Sequence, residues 1–377
     1  MNKEKIIEYR RHIHSNPELS FKEYKTNAYV CNILKNMGLK FNVMCETGIV
    51  ATIGNENSAD CIAFRCELDA LPMCENTGLP FSSKNEGVMH SCGHDLHIAM
   101  LLGAAEIFSE NLPANDRCVK LIFQPGEEVL PGGAKSMIAA GVLSEPRPKF
   151  IFAQHIDPDL PVGTIGIAGR RAMAATCEFK ITIHGKATHG ATPHKGSEPI
   201  VVAANIITLT NSFLVRYNNP FEPAVLSICA INGGNVNNAF PASVEMLGTL
   251  RCYNEDLRNK YLAMYQQKCQ QLAAVYGTKC DMEIVYGYPP VINDADAVDV
   301  VRRAVATLPD VKLQEIEPKM WAEDFSYYGL EVPSCFYFLG VSPDGETLPP
   351  LHSSELNPSE EALIVGVEVM DAIRKVC

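Results

Sequence analysis

The sequence predicts an α/β protein with two domains, in which a mixed sheet carries helices on both faces and a smaller α+β domain is inserted. Three observations predict this fold class. The 377 residues exceed what one hydrophobic core usually serves, and a hydrophobic content of 47% is enough for two cores. Short apolar runs alternate with helical patterns in the first half of the chain, and the order of elements changes in the middle.

The alternation in the first half predicts the larger sheet and its helices. Strands are predicted at 61–66, 119–124 and 150–154, and helices at 21–37 and 96–109. In an α/β sheet of this kind, ligands bind near the carboxyl ends of the strands. We therefore expect functional residues directly after these apolar runs.

A different order of elements begins at about Cys177. The predicted elements are a strand at 178–184, a helix at 197–215, strands at 224–232 and 244–251, a helix at 254–276 and a strand at 279–286. This βαββαβ order is typical of a ferredoxin-like split βαβ unit. We therefore predict an inserted ferredoxin-like domain at 173–288, which separates the two parts of the larger domain at 1–172 and 289–377.

The last part of the chain returns to the first pattern. A helix is predicted at 294–308, an apolar strand at 334–339 and a final helix from 358 to the C-terminus. This segment is expected to complete the larger sheet.

Composition excludes several classes of partner. The formal net charge of -12 would repel nucleic acid and anionic membranes. The most apolar stretch, 199–215, contains asparagine, threonine and serine residues, and a buried or amphipathic helix explains it better than a membrane span. A small molecule is the expected partner, with no nucleic acid and no membrane.

Cysteine usage and the N-terminal segment indicate the cellular compartment. Fourteen cysteines are spread along the chain without paired spacing, which favours reduced thiols over disulfides. The N-terminal segment has mixed charge and lacks the apolar core of a signal peptide. We expect a cytoplasmic protein.

A thiol and an imidazole stand two residues apart at Cys92 and His94, just before the helix predicted at 96–109. A helix N-terminus favours the thiolate, and a thiolate beside an imidazole is a good donor set for zinc or a similar divalent metal. Taken alone, the pair is explained better by a buried cysteine and a capping polar residue.

Two adjacent carboxylates, Glu127 and Glu128, follow the strand predicted at 119–124. Consecutive side chains point in different directions, so one carboxylate can bind a metal ion while the other acts on a water molecule as general base. A solvated acidic turn is the alternative, and the pair alone does not decide between the two.

Two histidines hold comparable positions. His155 follows the strand predicted at 150–154, and His352 precedes the final helix. Each alone would be an ordinary polar histidine. They become candidates for metal binding because the same fold also contains a cysteine, another histidine and two glutamates at comparable positions.

Two further residues are candidates for supporting the reaction. Asp69 comes after the strand predicted at 61–66 and could bind metal, orient a ligand or cap a turn; we expect it to support the metal ligands by hydrogen bonding. His189 lies in the inserted domain, in a basic and glycine-rich segment suited to a substrate carboxylate or an oxyanion. A surface loop histidine is the alternative reading of His189.

Together these motifs resemble those of the metallopeptidase family that contains aminoacylases, hippurate hydrolases and the plant auxin-conjugate amidohydrolases. The main segments are Asp-Ala-Leu-Pro at 69–72, Met-His-Ser-Cys-Gly-His-Asp at 89–95, Gln-Pro-Gly-Glu-Glu at 124–128 and Leu-His-Ser at 351–353, with further matches at 11–14, 17–19, 77–81 and 323–325. Motifs in this order over so much of the chain are highly specific.

The resemblance implies a set of metal ligands and a general base. The implied ligands of two divalent metal ions per subunit are Cys92, His94, Glu128, His155 and His352. Glu127 would be the general base and proton shuttle. Zinc is the first expectation for the metal, with manganese, cobalt or nickel as alternatives.

The resemblance also implies roles for the inserted domain. It would serve as a dimerisation or lid domain, form a homodimer and lend His189 to the site of the partner subunit. Asn238 and Arg251 are the implied contacts of the substrate carboxylate. Asn238 is followed by Ala239 and Phe240 where two aliphatic residues are usual in the family, and this departure bears on substrate choice.

The sequence thus predicts a two-metal enzyme that hydrolyses the amide bond of an N-acyl amino acid and releases a carboxylate and a free amino acid. A dipeptidase, a deacetylase of the N-acetyldiaminopimelate type and a non-catalytic metal-stabilised binding protein are the alternatives. The adjacent carboxylates favour an enzyme, because a purely structural zinc site needs no spare carboxylate. The acyl group and the amino acid stay open.

Overall fold

The computed structural model describes residues 2–111, 117–343 and 346–377, and the chain forms two compact units. The first unit consists of Met1–Ala172, Ile292–Pro318 and Asp324–Cys377. The second unit consists of Met173–Val291 and Lys319–Glu323.

Helices and strands alternate along most of the chain. The helices are α1 (Lys3–His14), α2 (Tyr24–Asn36), α3 (His94–Asn111), α4 (Gly133–Ala139), α5 (Pro199–Tyr217), α6 (Glu255–Val275), α7 (Ala295–Val305), α8 (Ser326–Glu331) and α9 (Ala362–Val376). The strands are β1 (Lys40–Met44), β2 (Gly48–Gly54), β3 (Cys61–Glu67), β4 (Cys118–Gln124), β5 (Phe150–Pro161), β6 (Thr164–Ile167), β7 (Arg171–Met173), β8 (Ala175–His184), β9 (Thr188–His189), β10 (Ala224–Asn232), β11 (Ala239–Phe240), β12 (Ser243–Cys252), β13 (Lys279–Tyr286), β14 (Val291–Ile292), β15 (Lys312–Glu315) and β16 (Ser334–Ser342).

The first unit contains a mixed sheet with the strand order β1-β2-β4-β3-β5-β16-β6-β15. β3 runs parallel to β4 and to β5, and β5 runs parallel to β16, whereas β2 pairs with β4 in the antiparallel sense. β3, β4 and β16 are buried along their whole length, as parallel strands are when helices cover both faces of a sheet. The predicted mixed α/β sheet is confirmed.

The apolar core of the first unit is built around α3. Leu101 of this helix shares one buried cluster with Phe64 of β3, Leu121 of β4 and Val367 of α9. Alternate residues of a strand point to opposite faces. Next to Phe64, on the opposite face of β3, Arg65 is buried as well and donates a hydrogen bond to the side chain of Gln124.

The second unit contains an antiparallel sheet with the strand order β10-β12-β8-β13, and α5 and α6 pack against it. Along the chain the order is β8, α5, β10, β12, α6, β13, which is the predicted βαββαβ string. Phe179 of β8, Phe213 of α5 and Tyr265 of α6 lie in its buried core. The ferredoxin-like order of elements is confirmed.

Helix α5 is the most apolar helix of the second unit. By length and composition it is the one helix among the described residues that could span a membrane. In the second unit it buries Val202, Ala203, Ile206 and Phe213 in the core beside the sheet. Its hydropathy therefore follows from packing on the sheet.

Several predicted boundaries differ from the structure, and three of them have a local cause. The helix predicted at 21–37 begins at Tyr24, because Phe21 has a φ of +61°, which a helix does not allow. The strand predicted to end at 154 continues to Pro161, since it keeps pairing with β16. The last helix begins at Ala362 instead of 358, and Ser359 N–H bonds the carbonyl of Val341.

Candidate active site

Five side chains predicted as ligands lie close together in the first unit. Their ligand atoms form overlapping groups within 4.8 Å of one another: Cys92, His94 and His155; Cys92, Glu128 and His352; and His94 with Glu127 and Glu128. Metal–ligand bonds of about 2.0 to 2.3 Å are compatible with ligand atoms at such separations. The groups share members, so they form one continuous cluster.

The turn before α3 brings Cys92 and His94 to the cluster. Gly93 between them has a φ of +82°, a conformation that favours glycine. A β-carbon at Gly93 would lie 2.2 Å from Cδ1 of Ile156, so no larger residue fits there. The glycine therefore permits both the sharp turn and the close approach of β5.

His94 presents one ring nitrogen to the cluster. Its Nδ1 donates a hydrogen bond to the carbonyl oxygen of Asp69 at 2.8 Å. Its buried Nε2 has no hydrogen-bond partner among the described residues, and the same holds for Oε1 of Glu128, 3.9 Å away. Buried polar atoms are rarely left without a partner, so a nitrogen and a carboxylate oxygen in this state fit a bound cation.

The charges around His94 also favour a cation. Burial alone lowers the pKa of His94, but Asp69, Glu67 and Glu128 outweigh it and raise the pKa to about 10. Without a metal ion the His94 ring therefore carries a second proton, and a positive charge, at neutral pH. A divalent ion would neutralise the same carboxylates.

Cys92 corrects one expectation from the sequence. The position before a helix was expected to favour its thiolate, but burial, followed by the charges of Glu128 and Glu127, raises the pKa of the Cys92 thiol well above its ordinary value. These effects outweigh the helix N-terminus. The expectation is wrong for the protein without a metal ion, and the thiolate requires a positive charge beside it.

His155 faces Cys92 from β5. Its Nε2 lies 3.4 Å from Sγ of Cys92, and its Nδ1 donates a hydrogen bond to the carbonyl of Ile156 at 2.8 Å. The sequence had suggested that His155 follows the end of a strand, but the residue lies inside β5. The strand pairing of Phe338 with His155 fixes the backbone of this residue in the sheet.

His97 and Glu67 hold the same stretch of β5, and sequence reasoning missed the role of both. His97 Nε2 accepts the N–H of Ile156 at 3.0 Å, which requires its proton to be on Nδ1. That nitrogen lies 2.8 Å from Oε2 of Glu67, which in turn pairs with Arg65. The spacing of His97 one helical turn after His94 was the available signal.

The loop after β4 carries the two adjacent carboxylates, Glu127 and Glu128. Gly126 has a φ of +60°, and the N–H of Glu128 donates to Oδ2 of Asp69 at 2.9 Å. Oε1 of Glu128 lies 3.4 Å from Nε2 of His352. Glu127 is buried, with 6% of its surface exposed, and its carboxylate lies within 4.8 Å of ligand atoms of His94 and Glu128.

His352 completes the cluster from a strained backbone position. Its φ is +62°, which is uncommon for a residue other than glycine. Its N–H donates to the carbonyl of Ser91 at 2.8 Å, which ties this loop to the turn that carries Cys92. Half of its side chain is exposed, so this histidine lies at the open side of the cluster.

Asp69 is buried and touches two of the proposed ligands. Oδ2 accepts hydrogen bonds from the N–H of Glu128 and from Oγ of Ser20, and the backbone carbonyl accepts from His94. Burial raises the pKa of Asp69, but its hydrogen bonds and the charge of His94 have the larger, opposite effect. The pKa is therefore below its ordinary value, and the group is ionised. Its contacts fit the predicted supporting role.

The other three predicted residues lie in the second unit. His189 of β9 pairs with Ala239 of β11, and the N–H of Gly190 donates to the carbonyl of Asn238 at 2.7 Å, so the segments of His189 and Asn238 adjoin. Arg251 lies on β12 and donates to the carbonyl of Met320 at 2.8 Å. Their roles in substrate binding stay predictions.

Comparison with known proteins finds similarity over nearly the whole chain. The family model described as peptidase family M20/M25/M40 matches residues 63–375. An N-acetyl-L-cysteine deacetylase from Bacillus subtilis is 37% identical over 342 residues, which cover 90% of this chain and 81% of the deacetylase. Thermostable carboxypeptidase 1 from Saccharolobus solfataricus is 36% identical over 366 residues, which cover 96% of this chain and 92% of the carboxypeptidase.

A solved structure is similar over the same length. The crystal structure of a dinuclear metal-binding peptidase of the M20 family from Bacillus subtilis matches with a TM-score of 0.85 and 31% sequence identity. The match covers 98% of this chain and 97% of that one. Sequence and structure therefore indicate the same family.

Proposed function

The chain belongs to peptidase family M20/M25/M40 and is a hydrolase of linear amides. We propose that it removes the acyl group from N-acyl amino acids with the help of two divalent metal ions. The observation that carries this proposal is the buried cluster of thiol, imidazole and carboxylate groups beside a second carboxylate. A hydrolytic site needs both parts, because the metal ligands and the general base are different groups.

The proposed ligands of the metal ions fit their task chemically. They are Cys92, His94, Glu128, His155 and His352. When bound, the ions would polarise the scissile carbonyl and make water more acidic. Zinc suits this mixture of sulfur, nitrogen and oxygen donors, and manganese, cobalt and nickel are alternatives. The solved relative from Bacillus subtilis, which binds a dinuclear metal, supports the number of two.

Glu127 is the proposed general base. Its carboxylate would take a proton from the attacking water and later deliver one to the nitrogen of the leaving amine. The products are then a carboxylate and a free amino acid. Its neighbour Glu128 is engaged with the histidines of the cluster, so the two glutamates would divide the work of catalysis and metal binding.

The second unit would supply the substrate contacts. We propose that His189 stabilises the oxyanion of the tetrahedral intermediate and that Asn238 and Arg251 bind the carboxylate of the substrate. The proposal includes a homodimer in which His189 acts in the site of the partner subunit. A cytoplasmic location agrees with fourteen cysteines that are all free.

The proposed reaction is tested with metal-depleted and metal-reconstituted protein. Release of free amino acid is measured from N-acetyl and N-benzoyl amino acids and from dipeptides, after chelation and after addition of zinc, manganese or cobalt. We expect no hydrolysis after chelation and recovery of N-acyl amino acid hydrolysis with metal. If the reconstituted protein hydrolysed none of the N-acyl substrates, the proposal would be contradicted.

Peptide hydrolysis is the second candidate function. It is favoured by the similarity to a carboxypeptidase, since a peptide and an N-acyl amino acid share the same scissile bond. In the same experiment, a kcat/KM for dipeptides above that for every N-acyl amino acid would favour this candidate. The N-acetyl-L-cysteine deacetylase among the relatives supports the first candidate.

A further inference from the structure

Glu23 is a fully buried carboxylate outside the metal cluster, at the start of α2. Its Oε1 accepts the N–H of Gly126 at 2.9 Å and the N–H of Phe21 at 2.8 Å. Its Oε2 accepts the hydroxyl of Thr47 at 2.7 Å. The side chain thus joins its own segment to two distant ones, at Thr47 and at Gly126, and the second of these is the loop of Glu127.

The loop is held on the other side of Glu127 as well. The N–H of Glu128 donates to Oδ2 of Asp69 at 2.9 Å, and the same oxygen accepts the hydroxyl of Ser20 at 2.7 Å. The residues before and after Glu127 therefore each donate their backbone N–H to a buried carboxylate. Both carboxylates are in turn bonded to the short segment 20–23.

The segment also packs against the loop. Phe21 has a φ of +61°, and its ring lies so close to Gly126 that a β-carbon there would be 2.5 Å from the ring. The carbonyl of Gly126 accepts the N–H of Gly133 at 3.0 Å. Both polar groups of the Gly126 backbone are thus paired, and an aromatic ring covers it.

We propose that Glu23 is a positioning residue that fixes the loop of the general base and thereby the place of the Glu127 carboxylate. The proposal rests on the proposed function, in which Glu127 acts on water. The Glu23 carboxylate is itself held by Phe21 and Thr47, so its hydrogen bond from the N–H of Gly126 defines the place of that residue. A displacement of a catalytic group by about 1 Å can lower a rate by about 10²-fold.

Two substitutions at this position separate geometry from charge. In Glu23→Gln the amide oxygen can accept both N–H groups while the NH2 group donates to Thr47, so kcat is expected to stay within about threefold of wild type. In Glu23→Ala the N–H of Gly126 loses its acceptor. Its kcat is expected to fall by about 10²-fold, with unchanged KM and metal content. Glu23→Asp, which is too short to span the three donors, replaces it if the alanine variant does not fold.

Glu18 offers a matched control in the same part of the chain. Its carboxylate accepts the N–H groups of Lys25 and Thr26, both at 2.8 Å, and so holds the start of α2 without bonding to the Glu127 loop. Glu18→Ala should therefore lower the melting temperature without lowering kcat. Equal losses of kcat in Glu18→Ala and Glu23→Ala would reduce Glu23 to a structural role and overturn the proposal.

Amide hydrogen exchange gives a readout that does not depend on activity. Exchange in a peptide that covers 124–128 should rise in Glu23→Ala and stay at the wild-type level in Glu18→Ala and Glu23→Gln. Unchanged exchange in Glu23→Ala would overturn the proposal even if activity fell. If the wild-type protein hydrolysed no substrate, the proposed function would fail, and exchange alone would decide whether Glu23 holds the loop.

Discussion

At the scale of single residues, the candidate site is defined by buried polar atoms that lack a positively charged partner. Nε2 of His94 and Oε1 of Glu128 lie without hydrogen-bond partners among the described residues, while burial and nearby carboxylates keep Cys92 a thiol in the absence of a metal ion. A divalent cation would satisfy all three groups at once. The chemistry of the cluster therefore fits the proposed metal site.

Glu127→Gln tests the division between the two adjacent glutamates. The amide cannot accept a proton, so kcat should fall by about 10²- to 10⁴-fold, the range of general acid–base catalysis. Metal content, measured by elemental analysis, should be unchanged. Glu128→Gln is the comparison, since it should lower metal content as well. A Glu127→Gln enzyme with wild-type kcat would exclude the proposed base.

His97→Ala tests how β5 holds His155 in place. Without His97, the N–H of Ile156 loses its acceptor, and the backbone of β5 next to His155 is held less firmly. Metal affinity should weaken by about 10- to 100-fold, as is common when a group that supports a ligand is removed. Zinc titration against a chromophoric chelator measures it, with the exposed His194→Ala as control. Equal affinities in the two variants would contradict this role.

At the scale of elements, the site is assembled where secondary structure ends or turns. β3 and β4 are parallel and end at Glu67 and Gln124, which are paired in register, so the residues after both strands meet at one edge of the sheet. α3 begins at His94, directly beside the turn of Cys92. Helix α1 is tied to this end of α3 by a buried ionic network.

The network between α1 and α3 predicts a pH dependence of stability. His14 Nδ1 lies 2.9 Å from Oδ2 of Asp95, and Nε2 lies 3.2 Å from Oε1 of Glu75, while Arg10 also bonds Asp95. Burial and the charge of Arg10 lower the pKa of His14, but the two carboxylates outweigh them and raise it to about 9. A folded-state pKa above the ordinary value means that protonated His14 stabilises the fold. That contribution is complete below pH 6.5 and is lost as the pH rises through about 9.

His14→Gln is the test of this dependence. Below pH 6.5 the variant should be less stable than wild type by on the order of 3 kcal/mol, and the gap should narrow as the pH passes 9. Denaturant unfolding at a series of pH values gives both curves. Parallel curves for the two proteins would show that His14 carries no linked proton in this range.

At the scale of the whole molecule, the chain divides the proposed task between two units. The first unit holds the proposed metal ligands and the proposed general base, and the second holds His189, Asn238 and Arg251. The second unit has its own sheet and its own buried core. A substrate contact provided from that unit would thus be carried by a separately folded scaffold.

Mixing two inactive variants tests the shared site of the proposed homodimer. His189→Ala and Glu127→Gln should each lower kcat, and metal content should be retained in both. If His189 acts in the partner's site, a mixed dimer contains one complete site, and random exchange of subunits should restore about a quarter of the wild-type activity. Persistent inactivity of a verified mixed dimer would place His189 in the site of its own subunit.

Much of the fold was predictable from local sequence patterns, because apolar periodicity and turn residues act over a few positions. The core strands, α3 and the βαββαβ order follow in this way. Helix α1, the edge strand β1 and its neighbour β2 were missed. Helix α1 is polar on average, and β1 is half exposed, so their apolar patterns are weak.

The sequence alone determined which donor types the site contains, since Cys92, His94, Glu127 and Glu128 stand in motifs that can be recognised without coordinates. Only the tertiary structure decided how these groups are held and charged. Glu23 is 103 residues from Gly126 along the chain, and His97 is 59 residues from Ile156, yet both are in hydrogen-bond contact. Hydrogen bonding, burial and charge act through space, so residues far apart along the chain can set one another's position and charge.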